Sequence, residues 1–479
     1  MPASTRETVV VGPNGESHSS PMTPGPTKPD QPLRLGIIGG GILGMTLALR
    51  LQSPRCEVTI LEAAPEIGGL AGSHSIGGYT WDRYYHVILQ SDRHLHALLQ
   101  ELGLSESMRW GTTRTGFYTD GQLHSMSNSV EFLRFPALSL VDKARLAATI
   151  LYASRIRDWR PLEQIPVADW LRRLSGKRTF ERIWLPLLKS KLGENYKITS
   201  ASFIWATIAR LYAARRSGLK REMFGYAEGG YARILARFRD ELEARGVRLR
   251  CGHPVTNVHD HGHAVDVGVA GGETLTFDQV VMTVSCPRIE AMCPQLSDGE
   301  RARLGKVVYQ GIACASMVLR RPLADFYITN ITESWVPFTA VIEMTALVDR
   351  RNFGGNALVY LPRYLVQDDP FWTLPAEEIR ERFLAALERM YPGFSRADVV
   401  AFEVSRVRDM LALTTLDYSA SARPEIGTSL PNVHIVNSAQ IVNGTLNVNE
   451  TVAVANEGAA RLRSKLVARA GSMTAMENR

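Results

Sequence analysis

Residues 33–44 read LRLGIIGGGILG, and this stretch decides the fold. Leu33–Gly39 is a short apolar run, which reads as a buried strand. It passes directly into Gly39-Gly40-Gly41-Ile42-Leu43-Gly44, and a helical pattern continues to Leu51. Gly39, Gly41 and Gly44 fill the pattern G-x-G-x-x-G. The first glycine makes the tight turn, the second lets the backbone approach a pyrophosphate, and the third packs the helix close to the strand. The N–H groups that open the helix, those of Ile42 and Leu43 among them, face such a diphosphate with the positive end of the helix dipole. A second strand, Glu57–Leu61, ends at Glu62, 18 residues after Gly44, where an acidic side chain accepts hydrogen bonds from a ribose. Strand, glycines, helix, strand and acid in this order predict an α/β dinucleotide-binding domain.

The residues after Glu62 separate FAD from NAD. Ala63-Ala64-Pro65-Glu66-Ile67-Gly68-Gly69-Leu70-Ala71-Gly72 resembles the E-A-x-x-x-x-GG-x-x-G/S extension of glutathione-reductase-type flavoproteins. The resemblance is to the branch holding flavin amine oxidases, protoporphyrinogen oxidase, carotenoid desaturases and UDP-galactopyranose mutase. It implies non-covalent FAD, with Ala63, Gly69 and Leu70 in the loop over the pyrophosphate and ribityl chain. Glu66 and Leu70 stand where amine oxidases usually carry arginines, and GGLAG is nearer the protoporphyrinogen-oxidase-like members.

The resemblance covers nearly the whole chain after residue 32. Glu228-Gly229-Gly230-Tyr231 opens an amphipathic helix, and the backbone at Val255 is implied to meet the adenine. Phe277–Thr283 resembles the strand that closes this module, and Asn432–Asn437 is a further strand. Val448, Asn449, Glu450 and Thr451 begin a final helix whose N-terminus is implied to face the flavin pyrimidine, with Asn449 as N-cap. There the dipole stabilises negative charge on the reduced ring. Ser438 occupies the place of the acidic residue that usually follows the strand, within Asn437-Ser438-Ala439-Gln440-Ile441, so the contact near the ribityl–phosphate junction differs.

The implied fold is α/β: a glutathione-reductase-type Rossmann FAD-binding domain with an inserted substrate domain of antiparallel sheet plus helices. The FAD-binding segments are 33–90, 225–290 and 410–468. The substrate-binding pieces are 91–224, helical at Leu140–Ile156, and 291–409, with strand-like runs at Ile312–Leu319 and Ala357–Leu361. Residues 1–32, rich in Pro, Ser, Thr and Gly, read as a disordered tail, and 469–479 as another.

Length and composition agree with two domains: 479 residues exceed one ordinary core, and 45% hydrophobic with 22% charged residues is a globular balance. No run of 18 apolar residues suggests a membrane span. The five cysteines form no CxxC pair, which excludes a zinc ribbon and fits buried thiols in a reducing cytoplasm. Within 143–222, 18 Lys and Arg stand against 6 Asp and Glu, leaving the rest of a +7 chain mildly acidic. Arg155, Arg157, Arg160, Arg172, Arg173, Arg215, Arg216, Lys220 and Arg221 alternate there with apolar clusters. The readings are a solvated face, an anionic-substrate entrance, or peripheral contact with an anionic membrane. No nucleic-acid module is present, and the sequence leaves the oligomer open.

Flavin carries the redox chemistry, so few acid–base residues are needed. Trp81-Asp82-Arg83-Tyr84-Tyr85-His86 resembles the D-x-G-x-H segment that runs past the isoalloxazine in desaturases and the mutase. His86 is the candidate for proton transfer, against a role in holding the loop; Asp82 reads as structural. His261 and His263 fall in a predicted hairpin turn without the further ligands a metal needs. Ala439–Asn443 lacks the aromatic ring that amine oxidases place after the C-terminal strand, which disfavours amines. The expectation is an FAD-dependent dehydrogenase or oxidase removing hydride from a large hydrophobic small molecule. The alternatives are a non-redox flavin isomerase like UDP-galactopyranose mutase, and a flavin-bound scaffold without turnover.

Overall fold

The computed structural model describes residues 32–214, 223–442 and 445–477. The expected tail up to residue 31, together with Arg215, Arg216, Lys220, Arg221, Asn443 and Gly444, lies outside them. Leu33–Ile38 (β1) lies between Cys56–Glu62 (β2) and Gln279–Met282 in a five-stranded parallel sheet. Val433–Ile435 and Arg248–Cys251 form its edges. Alternate residues of each strand face opposite sides, so both faces are buried. Leu35, Ile37, Val58, Ile60 and Val281 pack on Ile42–Leu51 (α1), Arg93–Glu101 (α2), Gly230–Ala244 and the final helix. Ile38, Leu61, Val280 and Met282 face Val258, Val265, Val267 and Phe277 of a three-stranded antiparallel sheet.

The run Phe277–Thr283 is not one strand. Thr274–Phe277 belongs to the antiparallel sheet and Gln279–Met282 to the parallel one. Asp278 separates them, accepting from Arg34 N at 2.7 Å and pairing with its guanidinium at 2.9 Å.

The second sheet has seven strands, ordered Val399–Ala412, Tyr309–Leu319, Ala357–Leu365, Ala340–Glu343, Ile328–Ile331, Thr115–Thr119 and Gln122–Ser125. Its neighbours are antiparallel except Ile328–Ile331 against Thr115–Thr119. These two strands are far apart in the chain, so no hairpin fixes their direction, and the sheet is mixed. Ser129–Arg134 (α3) and Leu140–Ala153 (α4) follow Gln122–Ser125 in the chain. A capping box between Ser139 and Asp142 starts α4. The final helix runs Val448–Glu477, through the stretch expected as a tail. Arg461–Ala475 has no proline and is rich in Ala, Arg and Lys, which favours continuation.

Candidate active site

The glycine turn after β1 is held by its neighbours. Gly39 N donates to Leu61 O at 2.8 Å, and Thr283 Oγ1 donates to Ile38 O at 2.9 Å. A Cβ on Gly44 would sit 2.0 Å from the Gly39 carbonyl oxygen, so the turn and α1 close only around a glycine. Gly41 is different. Its φ of −72° suits any residue, and a Cβ there meets nothing nearer than Gly69 Cα at 3.9 Å. The fold does not require glycine at 41, whereas a dinucleotide pressed against the turn does. The site therefore fits FAD. Ile42 and Leu43 bury their side chains in the core and offer only backbone N–H groups, which have no acceptors within the helix.

The second glycine loop lies on the first. Gly68 N donates to Gly40 O at 2.8 Å, and Gly41 and Gly68 form a parallel bridge. Gly69 and Ala63 are exposed here, while Leu70 packs partly against the aromatic core under the seven-stranded sheet. Glu62 sits at the end of β2. Its carboxylate accepts from Gly40 N at 2.6 Å and Ala64 N at 2.8 Å, so it also joins the two loops. Val255 follows directly: His253 N donates to Glu62 O and Gly252 N to Ala64 O. Ser438 is brought to the same turn indirectly, because Asn437 Nδ2 donates to Val284 O at 2.9 Å beside Thr283.

The final helix corrects the expected cap. Asn447, not Asn449, caps it: Asn447 Oδ1 accepts from Glu450 N at 3.0 Å, and Thr451 Oγ1 donates to Asn447 O. Asn449 instead points across to α2, where its Oδ1 accepts from His94 N at 2.9 Å and Leu95 N at 3.2 Å. It lies inside the first turn of its own helix, so its side chain is free to cap another. Val448 packs against the core beside α1, and Glu450 Oε1 accepts from Asn449 Nδ2.

His86 and Asp82 lie together over the start of the Gly230–Ala244 helix. Asp82 Oδ1 accepts from Tyr231 N at 2.7 Å, which gives the Gly229-Gly230-Tyr231 motif its local role. Asp82 Oδ2 is 3.8 Å from His86 Nδ1, and that nitrogen has no hydrogen-bond partner. Burial pushes the Asp82 carboxyl up to about 7, against the opposing pull of the Tyr231 N–H. Burial likewise pushes the His86 imidazole down to about 4, against the opposing influence of the nearby Tyr84 backbone. At neutral pH the imidazole is uncharged and the carboxyl is near its midpoint. His261 and His263 lie in the turn of a hairpin, where His261 Nε2 meets Asp266 Oδ2 at 3.0 Å. Among the described residues no three His, Cys, Asp or Glu converge as a metal site.

Sequence reading missed the groups contributed by the seven-stranded sheet. Tyr85 and Tyr364 share a hydrogen bond of 2.6 Å between their hydroxyls, and Tyr360 OH donates to Asp82 O at 2.6 Å. These residues are some 280 positions apart, and the only signal was the aromatic density of residues 79–85.

The chain is similar to known proteins. Residues 44–445 match the family described as flavin containing amine oxidoreductase. The chain is 26% identical over 312 residues to coproporphyrinogen III oxidase of Mycobacterium leprae, covering 60% of this chain and 67% of that one. It is 24% identical over 443 residues to zeta-carotene desaturase of Synechocystis sp., covering 79% and 87%. The fold is shared with a solved Exiguobacterium sp. 255-15 protein assigned as a protoporphyrinogen oxidase: TM-score 0.72, 19% identity, 91% of this chain and 99% of that one. Since the family match runs from Gly44 through the second glycine loop and most of the chain, the chain belongs to the flavin-containing amine oxidoreductases and is an FAD-dependent oxidoreductase.

Proposed function

We propose that the enzyme removes a hydride equivalent from a large, apolar small molecule lying between the 81–86 segment and the seven-stranded sheet. The observation that carries this reading is the apolar cluster packed there: Tyr84, Ile312, Cys314, Tyr360 and, partly buried at its margin, Tyr85, Tyr364, Val407 and Met410. Relatives named for a porphyrinogen and for a carotene support a bulky unsaturated substrate. FAD, when bound, accepts the hydride equivalent. Gly39–Gly44, Gly69, Leu70, Glu62 and Val255 would hold it, with Ser438 and the turn Val448–Thr451 at its other end. Asp82, poised near neutrality, is the group that exchanges the proton, and His86 is its uncharged neighbour. Anaerobic titration of the FAD-loaded protein with coproporphyrinogen III and with zeta-carotene tests the reading. One of them is expected to bleach the oxidised flavin. Inertness to both, with turnover of a nucleotide sugar only after dithionite reduction, overturns it.

We infer a cofactor portion and a substrate portion along the expected segments, with two shifts suggested by packing. Leu95, Leu98, Leu99 and Leu104 pack on α1, which moves the first boundary from 90 to about 104. Cys286, Ile289, Cys293, Leu304 and Val307 pack under the parallel sheet, which moves the second from 290 to about 307.

Peripheral contact with an anionic membrane is part of the same proposal, through α3 and α4. Among the described residues no helix is long and apolar enough to cross a membrane. Yet Val130, Leu133, Leu140, Val141, Leu151 and Tyr152 are all exposed, and α4 carries its four on one stripe with Arg145. An apolar stripe amid basic residues suits a lipid surface. Co-sedimentation with phosphatidylserine vesicles, weaker at 0.5 M salt and weaker on neutral vesicles, is expected; equal partition onto both overturns it.

A further inference from the structure

The helix Leu185–Leu192 and the turn after it lie over one end of the apolar face. Gly193 packs against Val366, at the end of the Ala357–Leu365 strand. Lys191 is partly buried there, with its Nζ 5.3 Å from the Tyr364 ring centre and 5.7 Å from that of Phe203. Among the described residues no carboxylate pairs with it, whereas Lys197, six residues further on, is paired with Glu194 at 2.6 Å. Tyr364 in turn meets Tyr85, one residue from His86.

A second observation points to the same place. Gln310, on the Tyr309–Leu319 strand, is fully buried. Its Oε1 accepts from Asn195 Nδ2 at 3.3 Å, which leaves Nε2 without a partner. A buried N–H donor left unmade is expensive, of order 1–3 kcal/mol, and such groups ordinarily find acceptors. Tyr364 pairs in register with Ile312, two residues along the strand from Gln310, so a cation held by two rings and an unmatched amide donor stand at the same end of the apolar face. Both lack an acceptor.

We propose that this end of the apolar face binds a carboxylate, so that the substrate is a bulky apolar molecule carrying an acid group, with Lys191 the residue that selects it. Lys191 supplies the charge, held in place by Phe203 and Tyr364. Gln310 supplies the hydrogen bond that fixes the oxygen. A neutral polyene would leave both groups unmatched. This inference rests on the reading of the apolar face as the substrate side.

The test uses the FAD-loaded protein and two stable acids of different shape, coproporphyrin III and palmitate, each compared with its methyl ester by equilibrium binding. The wild type is expected to bind at least one acid ten-fold or more tightly than its ester. Lys191→Gln should abolish that preference while retaining bound flavin, and Lys191→Arg should keep most of it. If Lys191→Gln fails to load flavin, Gln310→Leu is read in its place, with a partial loss expected. Equal binding of acids and esters to the wild type, binding of neither, or a preference that survives Lys191→Gln overturns the proposal. Flavin bleaching by zeta-carotene without any acid preference would overturn this inference and keep the redox reading. Acid preference without bleaching by any donor would do the reverse.

Discussion

The two sides of the active site are built from different materials. The cofactor cradle is made of backbone: two glycine loops lie on each other, and Gly41 leaves space where a side chain would stand. The face proposed for the substrate is made of side chains: Tyr85, Tyr360, Tyr364, Gln310 and Lys191 come from four separate elements. A backbone site is defined by what must be absent at fixed spacing, so it tolerates few sequences. A side-chain site can be built in many ways, which is how one cofactor fold serves many substrates.

Within the cradle, the contrast between Gly44 and Gly41 is the sharpest way to test this. Gly44→Val should prevent folding, because a Cβ 2.0 Å from the Gly39 carbonyl oxygen must drive α1 off the sheet. Soluble, cooperatively melting protein would show that the cradle is softer than described. Gly41→Val should fold, with the stability of the flavin-free protein within about 0.5 kcal/mol of wild type. It should nevertheless purify colourless and resist reconstitution with FAD. Normal flavin content would mean that the cofactor lies elsewhere.

Across the two sides, Asp82 and His86 should give opposite pH dependences of stability. The Asp82 carboxyl is raised from 3.8 to about 7, so its contribution is present below about 3.8 and lost as pH rises to about 7. The His86 imidazole is lowered from 6.5 to about 4, so its contribution is present above 6.5 and lost as pH falls to about 4. Between about pH 4 and 6.5 the two slopes oppose each other, each by up to about 1.4 kcal/mol per pH unit. Relative to wild type, Asp82→Asn should gain stability with rising pH over that window, and His86→Phe should lose it. Denaturant titrations of the flavin-free proteins at several pH values would check the signs; parallel curves would show that neither group is buried as described. The smallest expected effect is that of Asn449→Ala, a loss of about 1 kcal/mol in denaturant stability from the uncapped α2. Asn449→Asp should recover most of it. If alanine costs nothing, the crossing cap is not stabilising.

The difference in materials also explains what could be read in the sequence. β1, the glycine turn, α1 and β2 were legible because strand, turn and helix lie in one run of 30 residues, Leu33–Glu62. Each obeys a local rule. Asn449 was misread because capping was judged along the chain, whereas its side chain serves a helix more than 350 residues away in sequence. The split at Asp278 was missed because Phe277–Thr283 is apolar on both sides of one residue that Arg34 claims. Lys191 and Gln310 gave no signal at all, since nothing in either neighbourhood shows which rings or amides will face it. The fold of the cofactor half is therefore written locally, and the substrate half only in the tertiary structure.

The order of strands in the parallel sheet has a consequence for how the protein is made. Val433–Ile435 completes the edge beside Gln279–Met282, and the helix after it packs on α1. The ribosome must add nearly 400 residues after β1 before that edge exists, which takes roughly 20 to 80 s at typical elongation rates. During that time the glycine turn is present without the helix that packs beside α1. FAD capture is thus expected only after these segments have met, and a cell short of flavin would meet this protein first as a chain whose cofactor segments are still apart.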